Sequence, residues 1–293
     1  KVSEMAKKLK FPLKCVGIPK TVDNDLPYTD CSPGFGSVAK YIATSTLEAG
    51  LDVKSMAETS TKVFILEVMG RHAGWIAAAS CLAATKAGDP PHIILLPEVP
   101  FEKTKFITQV KQTVKEQGYC VIVASEGTQT KNGKFLADSG LTDAFGHKQL
   151  GGVAPVLAGM ISKIGLKNHW AVADYLQRSA RHIASKTDLD QAYAVGEHAV
   201  KLAIAGKTAL MPIIKRTSDS PYKWKIATAP LKNVANIEKT MPKKFISKNG
   251  FEITQAGKTY LSPLIKGEAP IKYVNGLPDI AELKKIKVKK KLS

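Results

Sequence analysis

The sequence predicts an α/β fold with mainly parallel sheets. Apolar runs of strand length alternate along the chain with longer amphipathic stretches, as in repeated strand–helix–strand units. The runs are nearly continuous rather than interrupted at every second residue, which is typical of parallel strands covered by helices on both faces. They occupy residues 62–68, 92–96, 119–124, 170–173 and 210–214. With 293 residues, 44% of them hydrophobic, the chain can bury one large core or two smaller ones.

Amphipathic spacing predicts helices between these strands. The predicted helices cover residues 1–10, 38–48, 74–84, 102–117, 153–163 and 188–205. Ser37 is placed to cap the second of them, and Gly206 to end the last. Residues 127–146 are rich in Gly, Thr, Asn and Asp and are predicted to form a loop. From Arg216 onward the periodicity weakens.

The charge of the chain restricts its partners. A formal net charge of +18 suits either a nucleic-acid binder or an enzyme that attracts several phosphates into one cleft. The lysines are spread along the chain, apart from a basic run over residues 283–291, and no aromatic-interleaved basic patch or zinc finger supports nucleic acid. No apolar run is long enough to span a bilayer. We therefore expect a cytoplasmic protein with neither nucleic acid nor a membrane as partner.

The cysteines and histidines give no metal-binding pattern. Cys15, Cys31, Cys81 and Cys120 lack C-x-x-C spacing, and three of them lie in apolar surroundings. Buried reduced thiols are therefore favoured over disulfides or zinc ligands.

The segment GIPKTVDNDLP, residues 17–27, is the main candidate for a functional site. It follows an apolar, strand-like run over residues 11–18 and breaks into a loop at Pro19. Its polar side chains are therefore expected at the carboxyl edge of a sheet, where open α/β folds bind ligands.

The residue types in this loop suit phosphoryl transfer. Asp23 and Asp25 are two residues apart, with Lys20 and Thr21 just before them. One carboxylate can take a proton from an attacking hydroxyl, the other can lie near a metal, and the lysine can offset charge on the transferred group. A surface turn explains the same residues, because Pro, Asn and Asp favour turns. The spacing leaves both interpretations open.

Three further segments place polar side chains where strands end or helices begin. MGRHAGW, residues 69–75, follows a predicted strand and opens onto a helix, so backbone N–H groups and a guanidinium converge where a phosphate can bind. Glu126 follows another strand and precedes a glycine, and YLQRS, residues 175–179, combines an aromatic hydroxyl with an arginine. The residues alone favour an ordinary strand-to-helix turn at 69–75, a solvent-facing or helix-capping role is the common one for a glutamate, and a helix start explains residues 175–179.

Together these segments resemble the phosphofructokinase family. The loop at residues 17–25 matches the family pattern G-[IL]-P-x-T-[IV]-D-N-D at every defined position, and the blocks at residues 69–75 and 175–179 follow in the family's order. The resemblance implies two Rossmann-like lobes with the active site in the cleft between them. Residues 1–38 and 177–235 would form the first lobe, residues 39–176 the second, and residues 236–293 a carboxyl-terminal extension.

The resemblance also implies the reaction, which is transfer of a phosphoryl group to the 1-hydroxyl of fructose 6-phosphate with Mg²⁺ as cofactor. Asp23 would be the general base, Thr21 would contact the transferred phosphoryl group, and Asp25 would act near the magnesium. Met69 and Gly70 would hold the sugar phosphate.

Further residues that match family positions would complete the sugar site. Arg71 would hold the sugar phosphate and steady the transferred phosphoryl group, and Glu126 would accept hydrogen bonds from sugar hydroxyls. Tyr175 and Arg178 would contact the sugar phosphate within the subunit.

Two basic residues imply an oligomer. Lys62 and His169 fall where family members supply basic residues to the sugar phosphate of a neighbouring subunit, so we expect a homodimer or homotetramer. Histidine replaces the more usual arginine at position 169, which would make that contact weaker or dependent on pH near neutrality.

The phosphoryl donor is expected to be pyrophosphate. Tyr175, Ser179 and Ala180 resemble the pyrophosphate-dependent branch, and Lys20 goes with pyrophosphate users when an acidic residue also replaces a glycine in the upstream G-G-D-[GD]-[ST] motif. That motif is absent and the chain starts without Met inside a predicted helix, so we expect that an amino-terminal part, with the main magnesium aspartate, is missing. An ATP-dependent enzyme and a non-catalytic, regulatory or partner-dependent chain are the alternatives.

Overall fold

A computed structural model of the chain describes residues 1–142, 148–150 and 152–287. The α-helices in these ranges are α1 Val2–Lys8, α2 Phe35–Met56, α3 Trp75–Ala79, α4 Lys103–Gln117, α5 Val153–Ser162, α6 Leu176–Ser179, α7 Lys186–Ile204, α8 Leu231–Val234 and α9 Gln255–Leu261. The strands are β1 Val63–Val68, β2 Ile93–Leu95, β3 Cys120–Ser125, β4 Asp138–Thr142, β5 Lys148–Leu150, β6 Asn168–Val172, β7 Leu210–Asp219, β8 Tyr222–Pro230, β9 Tyr273–Val274 and β10 Leu277–Pro278. Short 3₁₀ turns cover Ser80–Ala83, Arg181–Ile183, Lys243–Phe245 and Ser262–Ile265.

The centre of the fold is a parallel sheet with strand order β2-β3-β1-β6. Val63 at the start of β1 pairs with Cys120 on one side and Asn168 on the other, so the strands begin level. β2 and β3 are buried along their whole length, and β1 is buried at all but one residue. The predicted α/β class with parallel strands is confirmed. β6 is the edge strand and is largely exposed.

Helices cover both faces of this sheet, as the near-continuous apolar runs indicated. On one face, Phe35 and Ile42 of α2 pack with strand residues such as Ile94 and Val123. On the other face, Phe106 of α4 and Leu157 of α5 pack with Ile65 and Ile122. Because successive strand residues point to opposite faces, β1, β2 and β3 each contribute to both cores. Each of these large side chains gains about 1.5–3 kcal/mol from burial.

The predicted strand over residues 11–18 is wrong. This segment makes a single parallel bridge, Val16 to Leu210, with Gly17 N donating to Leu210 O at 2.9 Å. Phe11 and Leu13 are exposed. Apolar residues form a strand only where a neighbouring strand pairs with them, and within the described ranges this segment has such a neighbour at one residue only.

The predicted cap at Ser37 is also wrong. Helix α2 begins at Phe35, and its N-cap is Gly34, whose φ of 99° lies in the left-handed region that favours glycine. The capping acceptor comes from elsewhere: Asp188 of α7 accepts from Gly34 N at 2.8 Å and from Ser37 N at 3.0 Å. A cap supplied by a residue so distant in sequence leaves no local signal.

Two strand pairs lie where the sequence predicted irregular structure. β7 continues past Ile214 to Asp219 and forms an antiparallel hairpin with β8. β4 lies within the predicted loop at residues 127–146 and pairs antiparallel with β5, which follows that loop. Residues 143–146 of the loop, His147, Gly151 before α5 and residues 288–291 of the basic run lie outside the described residues. The other predicted strands and helices are present with shifted ends.

In the part of the chain that the structure describes, no helix combines the length and apolar character needed to cross a membrane. All four cysteines are free, and Cys31, Cys81 and Cys120 are buried. Burial raises the pKa of Cys81 to about 12, which keeps it a thiol at neutral pH.

Candidate active site

The loop that carries Asp23 is shaped by its own side chains. The Thr21 hydroxyl accepts a hydrogen bond from Asp23 N at 3.1 Å, which closes a turn over these residues. Asn24 has a φ of 57°, a left-handed conformation that asparagine tolerates better than most residues. Its side chain is fully buried, and its Oδ1 accepts from Ser32 N at 3.0 Å. These contacts present Asp23 and Asp25 on either side of a buried Asn24.

The end of β1 brings a second polar segment to the same place. Since Val68 of β1 pairs with Ser125 of β3, the residues after both strands meet at the carboxyl edge of the sheet. Gly70 N lies 3.3 Å from Glu126 Oε1, and Ser125 Oγ donates to Gly70 O. A Cβ on Gly127 would lie 1.9 Å from Arg71 O, so only glycine permits this approach.

These segments enclose a cavity of about 290 Å³. Its lining side chains come from four separate parts of the chain. They are Asp23, Asp25, Arg71, His72, Ala73, Glu126 and Glu238. The structure therefore brings together Asp23, Asp25, Arg71 and Glu126 from the residues that the sequence predicted for the site.

Burial shifts the acidity of the carboxyl groups in this cavity. Burial and then the neighbouring Asp25 raise the pKa of Asp23, while Thr21, Lys20 and Arg71 oppose the shift. Burial also raises the pKa of Glu126, and its hydrogen bond from Gly70 and the Arg71 charge act against this. A carboxylate with a raised pKa is a stronger base, so Asp23 is suited to accept a proton from a hydroxyl group.

Arg71 has a donor without an acceptor. Among the described residues, its Nε is one of the few buried side-chain nitrogen or oxygen atoms with no hydrogen-bond partner. An unsatisfied buried donor costs about 1–3 kcal/mol, so such atoms in native sites call for an explanation. An anionic ligand in the cavity would supply the missing acceptor, because guanidinium groups bind phosphates through paired donors.

The third predicted block lies outside this cavity. Tyr175 and Arg178 are exposed and stack on each other, with the guanidinium 4.2 Å from the ring centroid. Arg178 lines a separate cavity of about 380 Å³ with Arg181 and Asp188. The residue of this block that contacts the site is Gln177, whose Oε1 accepts from Met69 N at 3.3 Å.

Lys62 and His169 lie at the opposite end of the sheet. Lys62 precedes β1, and its ammonium donates to the carbonyls of Ala57 and Glu58. His169 is the second residue of the exposed strand β6 and pairs with Phe64. Lys20 is exposed on the loop, and its charge acts on Asp23.

Sequence reasoning missed Glu238 and Lys239. Glu238 lines the cavity, and its Oε1 lies 2.7 Å from His72 Nδ1. Lys239 N donates to Asp25 O at 2.6 Å. Burial lowers the pKa of Lys239 to about 8, against the attraction of neighbouring acidic groups. No local pattern marks these two residues, since their role depends on contacts with residues more than 150 positions away.

The cavity contains oxygen ligands that suit magnesium but no complete metal site. Within the described ranges, no three His, Cys, Asp or Glu side chains are grouped so that they could hold a metal ion. Asp25 and Glu238 both line the cavity. Burial is the main cause that raises the pKa of Asp25, and the negative charge of Glu238 adds to it. Mg²⁺ is usually bound by one or two carboxylates together with substrate phosphates and water, so the donor chemistry fits.

Comparison with known proteins identifies the family. The phosphofructokinase family model matches residues 1–203. The pyrophosphate–fructose 6-phosphate 1-phosphotransferase of Halomonas elongata is 62% identical over 293 residues, which are 100% of this chain and 70% of that protein. The enzyme of the same name from Methylococcus capsulatus is 58% identical over 294 residues, again 100% of this chain and 70% of the relative. The crystal structure of the pyrophosphate-dependent phosphofructokinase from Marinobacter aquaeolei matches with a TM-score of 0.90 at 58% identity, covering 100% of this chain and 70% of that one. The chain belongs to the phosphofructokinase family.

Proposed function

We propose that this chain transfers a phosphoryl group from pyrophosphate to the 1-hydroxyl of fructose 6-phosphate, giving fructose 1,6-bisphosphate and phosphate. The observation that carries the proposal is that Asp23, Arg71 and Glu126 line one cavity, although they come from three separate segments. The relatives that are 58–62% identical over the whole chain bear the name of this activity.

Asp23 is the general base in this proposal. Its carboxylate takes the proton of the 1-hydroxyl as the hydroxyl oxygen forms a bond to phosphorus, and the bond from phosphorus to the bridging oxygen of pyrophosphate breaks. Inorganic phosphate leaves with that oxygen. The raised pKa of Asp23 strengthens it as a base.

Cationic and polar groups around Asp23 hold the phosphates. Arg71 offers its unpartnered Nε–H and its charge to the phosphoryl group. Thr21 contacts the transferred group, and the exposed Lys20 offsets charge on pyrophosphate. With Met69 and Gly70 beside Arg71, the backbone contributes to the same anion site.

Glu126 accepts hydrogen bonds from sugar hydroxyls, and Tyr175 with Arg178 contacts the sugar phosphate. Both of the latter are exposed and linked to the cavity through Gln177, so a bound sugar phosphate would order them. We place the substrate in a cleft between one lobe of residues 1–38 and 177–235 and a second of residues 39–176, followed by an extension of residues 236–293.

We further propose a homodimer or homotetramer in the cytoplasm. Lys62 and His169 would contact the sugar phosphate of a neighbouring subunit, and the exposed edge strand β6 that carries His169 is free to face another copy. Mg²⁺ would be held with the help of Asp25, and when bound it neutralises charge on the pyrophosphate oxygens.

A donor comparison tests the proposal. The purified chain is incubated with fructose 6-phosphate and Mg²⁺, with pyrophosphate or ATP supplied in parallel, and fructose 1,6-bisphosphate is measured. We expect product with pyrophosphate only. Lys20→Met should raise KM for pyrophosphate, whereas Lys14→Met, at another exposed lysine of the same segment, should leave it unchanged.

Two results would overturn the proposal. Faster product formation with ATP would assign the other donor. Binding of fructose 6-phosphate, measured by calorimetry, without turnover of either donor would show that this chain does not catalyse the reaction alone.

A further inference from the structure

We propose that Lys239 is a positioning residue that holds the loop bearing Asp23 and Asp25 in its active conformation. The inference rests on the proposed function of that loop. Lys239 lies beyond residues 1–203, the part of the chain that matches the family model.

The Lys239 ammonium bridges two parts of the loop. It donates to Asn24 Oδ1 at 3.3 Å and to the carbonyls of Thr29 at 3.1 Å and Asp30 at 3.0 Å. Asn24 stands between the two aspartates, whereas Thr29 and Asp30 follow them. Residues 18–34 contain no helix or strand, so side-chain hydrogen bonds of this kind determine the shape of the loop.

The backbone of Lys239 connects the loop to the arginine segment. Its N–H donates to Asp25 O at 2.6 Å, and its carbonyl accepts from Trp75 Nε1 at 2.9 Å. The ammonium also lies 5.3 Å from the Trp75 ring centroid. Trp75 begins helix α3, four residues after Arg71. One residue therefore fixes the distance between the carboxylates and the guanidinium across the cavity.

The residues on either side of Lys239 are anchored to the same walls. Glu238 pairs with His72, and Met241 N donates to Glu98 Oε1 at 2.9 Å. The same Glu98 oxygen accepts from Gly74 N at 3.0 Å. Residues 238–241 thus contact the cavity wall at several points, and Lys239 is the one that reaches the catalytic loop with its side chain.

The phosphoryl transfer requires the base and the acceptor oxygen to be in line, and a displacement of 1 Å can cost about 10²-fold in rate. Lys239→Met keeps the length of the side chain and removes its three donors. We expect kcat to fall by roughly 10²-fold, with KM for fructose 6-phosphate changing much less, because Arg71 and Glu126 are untouched.

Hydrogen exchange measured by mass spectrometry tests the positioning without relying on turnover. In Lys239→Met, amides of residues 21–34 should exchange about tenfold faster or more, while those of helix α4 stay protected. The matched control is Lys243→Met, an exposed lysine four residues away, which should change neither the exchange nor kcat. Unchanged loop exchange in Lys239→Met overturns the inference, even if the wild-type chain is active. Should the wild type lack turnover, the proposed function fails and the exchange experiment still decides the role of Lys239.

A second variant keeps the inference testable if Lys239→Met unfolds as a whole. The Tyr260 hydroxyl accepts from Asn24 Nδ2 at 3.0 Å and donates to Asp30 O, so Tyr260→Phe loosens the same loop while the ring stays packed on Trp75. Faster exchange confined to residues 21–34 supports the inference. Exchange that rises equally in α4, or does not rise at all, contradicts it.

Discussion

The cavity around Asp23 and the exposed segment with Tyr175 and Arg178 represent two ways to prepare a site for phosphates. In the cavity, Asp23, Arg71 and Glu126 are partly buried, Asp23 N donates to the Thr21 hydroxyl, and the Glu126 carboxylate lies 3.3 Å from Gly70 N. Tyr175, by contrast, is 62% exposed, and the Arg178 guanidinium stacks on its ring, while the backbone N–H of Arg178 donates to Tyr175 O at 3.2 Å. In the proposed mechanism, the groups that move the proton and stabilise developing charge are therefore preorganised, whereas those assigned to the sugar phosphate are exposed to solvent.

Preorganisation of the cavity has an energetic cost. Burial and then the neighbouring Asp25 raise the pKa of Asp23, which means that the folded chain disfavours its ionised form. Arg71 carries a buried donor without an acceptor. Both unfavourable features would be relieved by a phosphate ligand and magnesium, so ligands should stabilise the cavity more than the exposed segment.

Removing the base should give the largest effect. Asp23→Ala is expected to lower kcat by roughly 10²–10⁴-fold, because the substitution removes the proposed general base. The melting temperature should stay the same or rise, since the mutation also removes a repulsion with Asp25. Turnover close to that of the wild type would show that Asp23 is not the base.

Paired arginine substitutions compare the two regions directly. Arg71→Lys should lower kcat by about 10²-fold, because lysine cannot supply the planar pair of donors to a transferred phosphoryl group. Arg178→Lys should instead raise KM for fructose 6-phosphate by about tenfold or less with kcat nearly unchanged, since an exposed residue contributes binding rather than transition-state stabilisation. Steady-state kinetics provide the measurement. An equal fall in kcat in both variants would contradict the proposed difference between the two regions.

The close packing behind Arg71 can be tested with a methyl group. In Gly127→Ala the new Cβ would meet Arg71 O at 1.9 Å, so we expect a loss of about 1–3 kcal/mol in unfolding free energy and a lower kcat. Gly159, on helix α5, has no neighbour within 4 Å, and Gly159→Ala should stabilise by about 0.5–1 kcal/mol. Denaturant melts of both variants provide the measurement. Equal stability of the two variants would mean that the segment around Arg71 can move to make room for the methyl group at no cost in free energy.

The smallest expected effect is on the pH dependence of sugar binding. Burial raises the pKa of Glu126, and its ionised form is the one that accepts sugar hydroxyls. Affinity for fructose 6-phosphate should therefore be complete above this raised pKa and decline as the pH falls through it, starting above the ordinary value of 4.5. The phosphate group of the substrate also titrates, with a pKa of about 6. The pH dependence of binding must therefore be compared between two variants.

Calorimetry of Glu126→Gln against Glu116→Gln separates these contributions. Glu116 is exposed on helix α4, and its replacement should leave the wild-type pH profile in place. Glu126→Gln should bind a few-fold more weakly at neutral pH and lose the part of the acidic decline that belongs to Glu126. Identical pH profiles for the two variants would remove Glu126 from the sugar site.

Local patterns in the sequence were sufficient for the α/β class, for most of the strands and helices, and for four residues of the cavity. Periodicity and apolar run length depend on near neighbours along the chain, and the loop at residues 17–25 is a contiguous motif. The hairpin partner β8 was missed, because the strands were predicted from nearly continuous apolar runs, whereas the residues of β8 largely alternate between exposed and partly buried.

Contacts between distant residues supplied the rest. Asp188 caps helix α2 across 154 positions, and Lys239 reaches Asn24 across 215. Such pairs carry no local periodicity, since a hydrogen bond between two folded segments depends on how the whole chain packs. The chemical identity of the site was therefore present in short motifs, whereas the residues that hold those motifs in position became visible only in three dimensions.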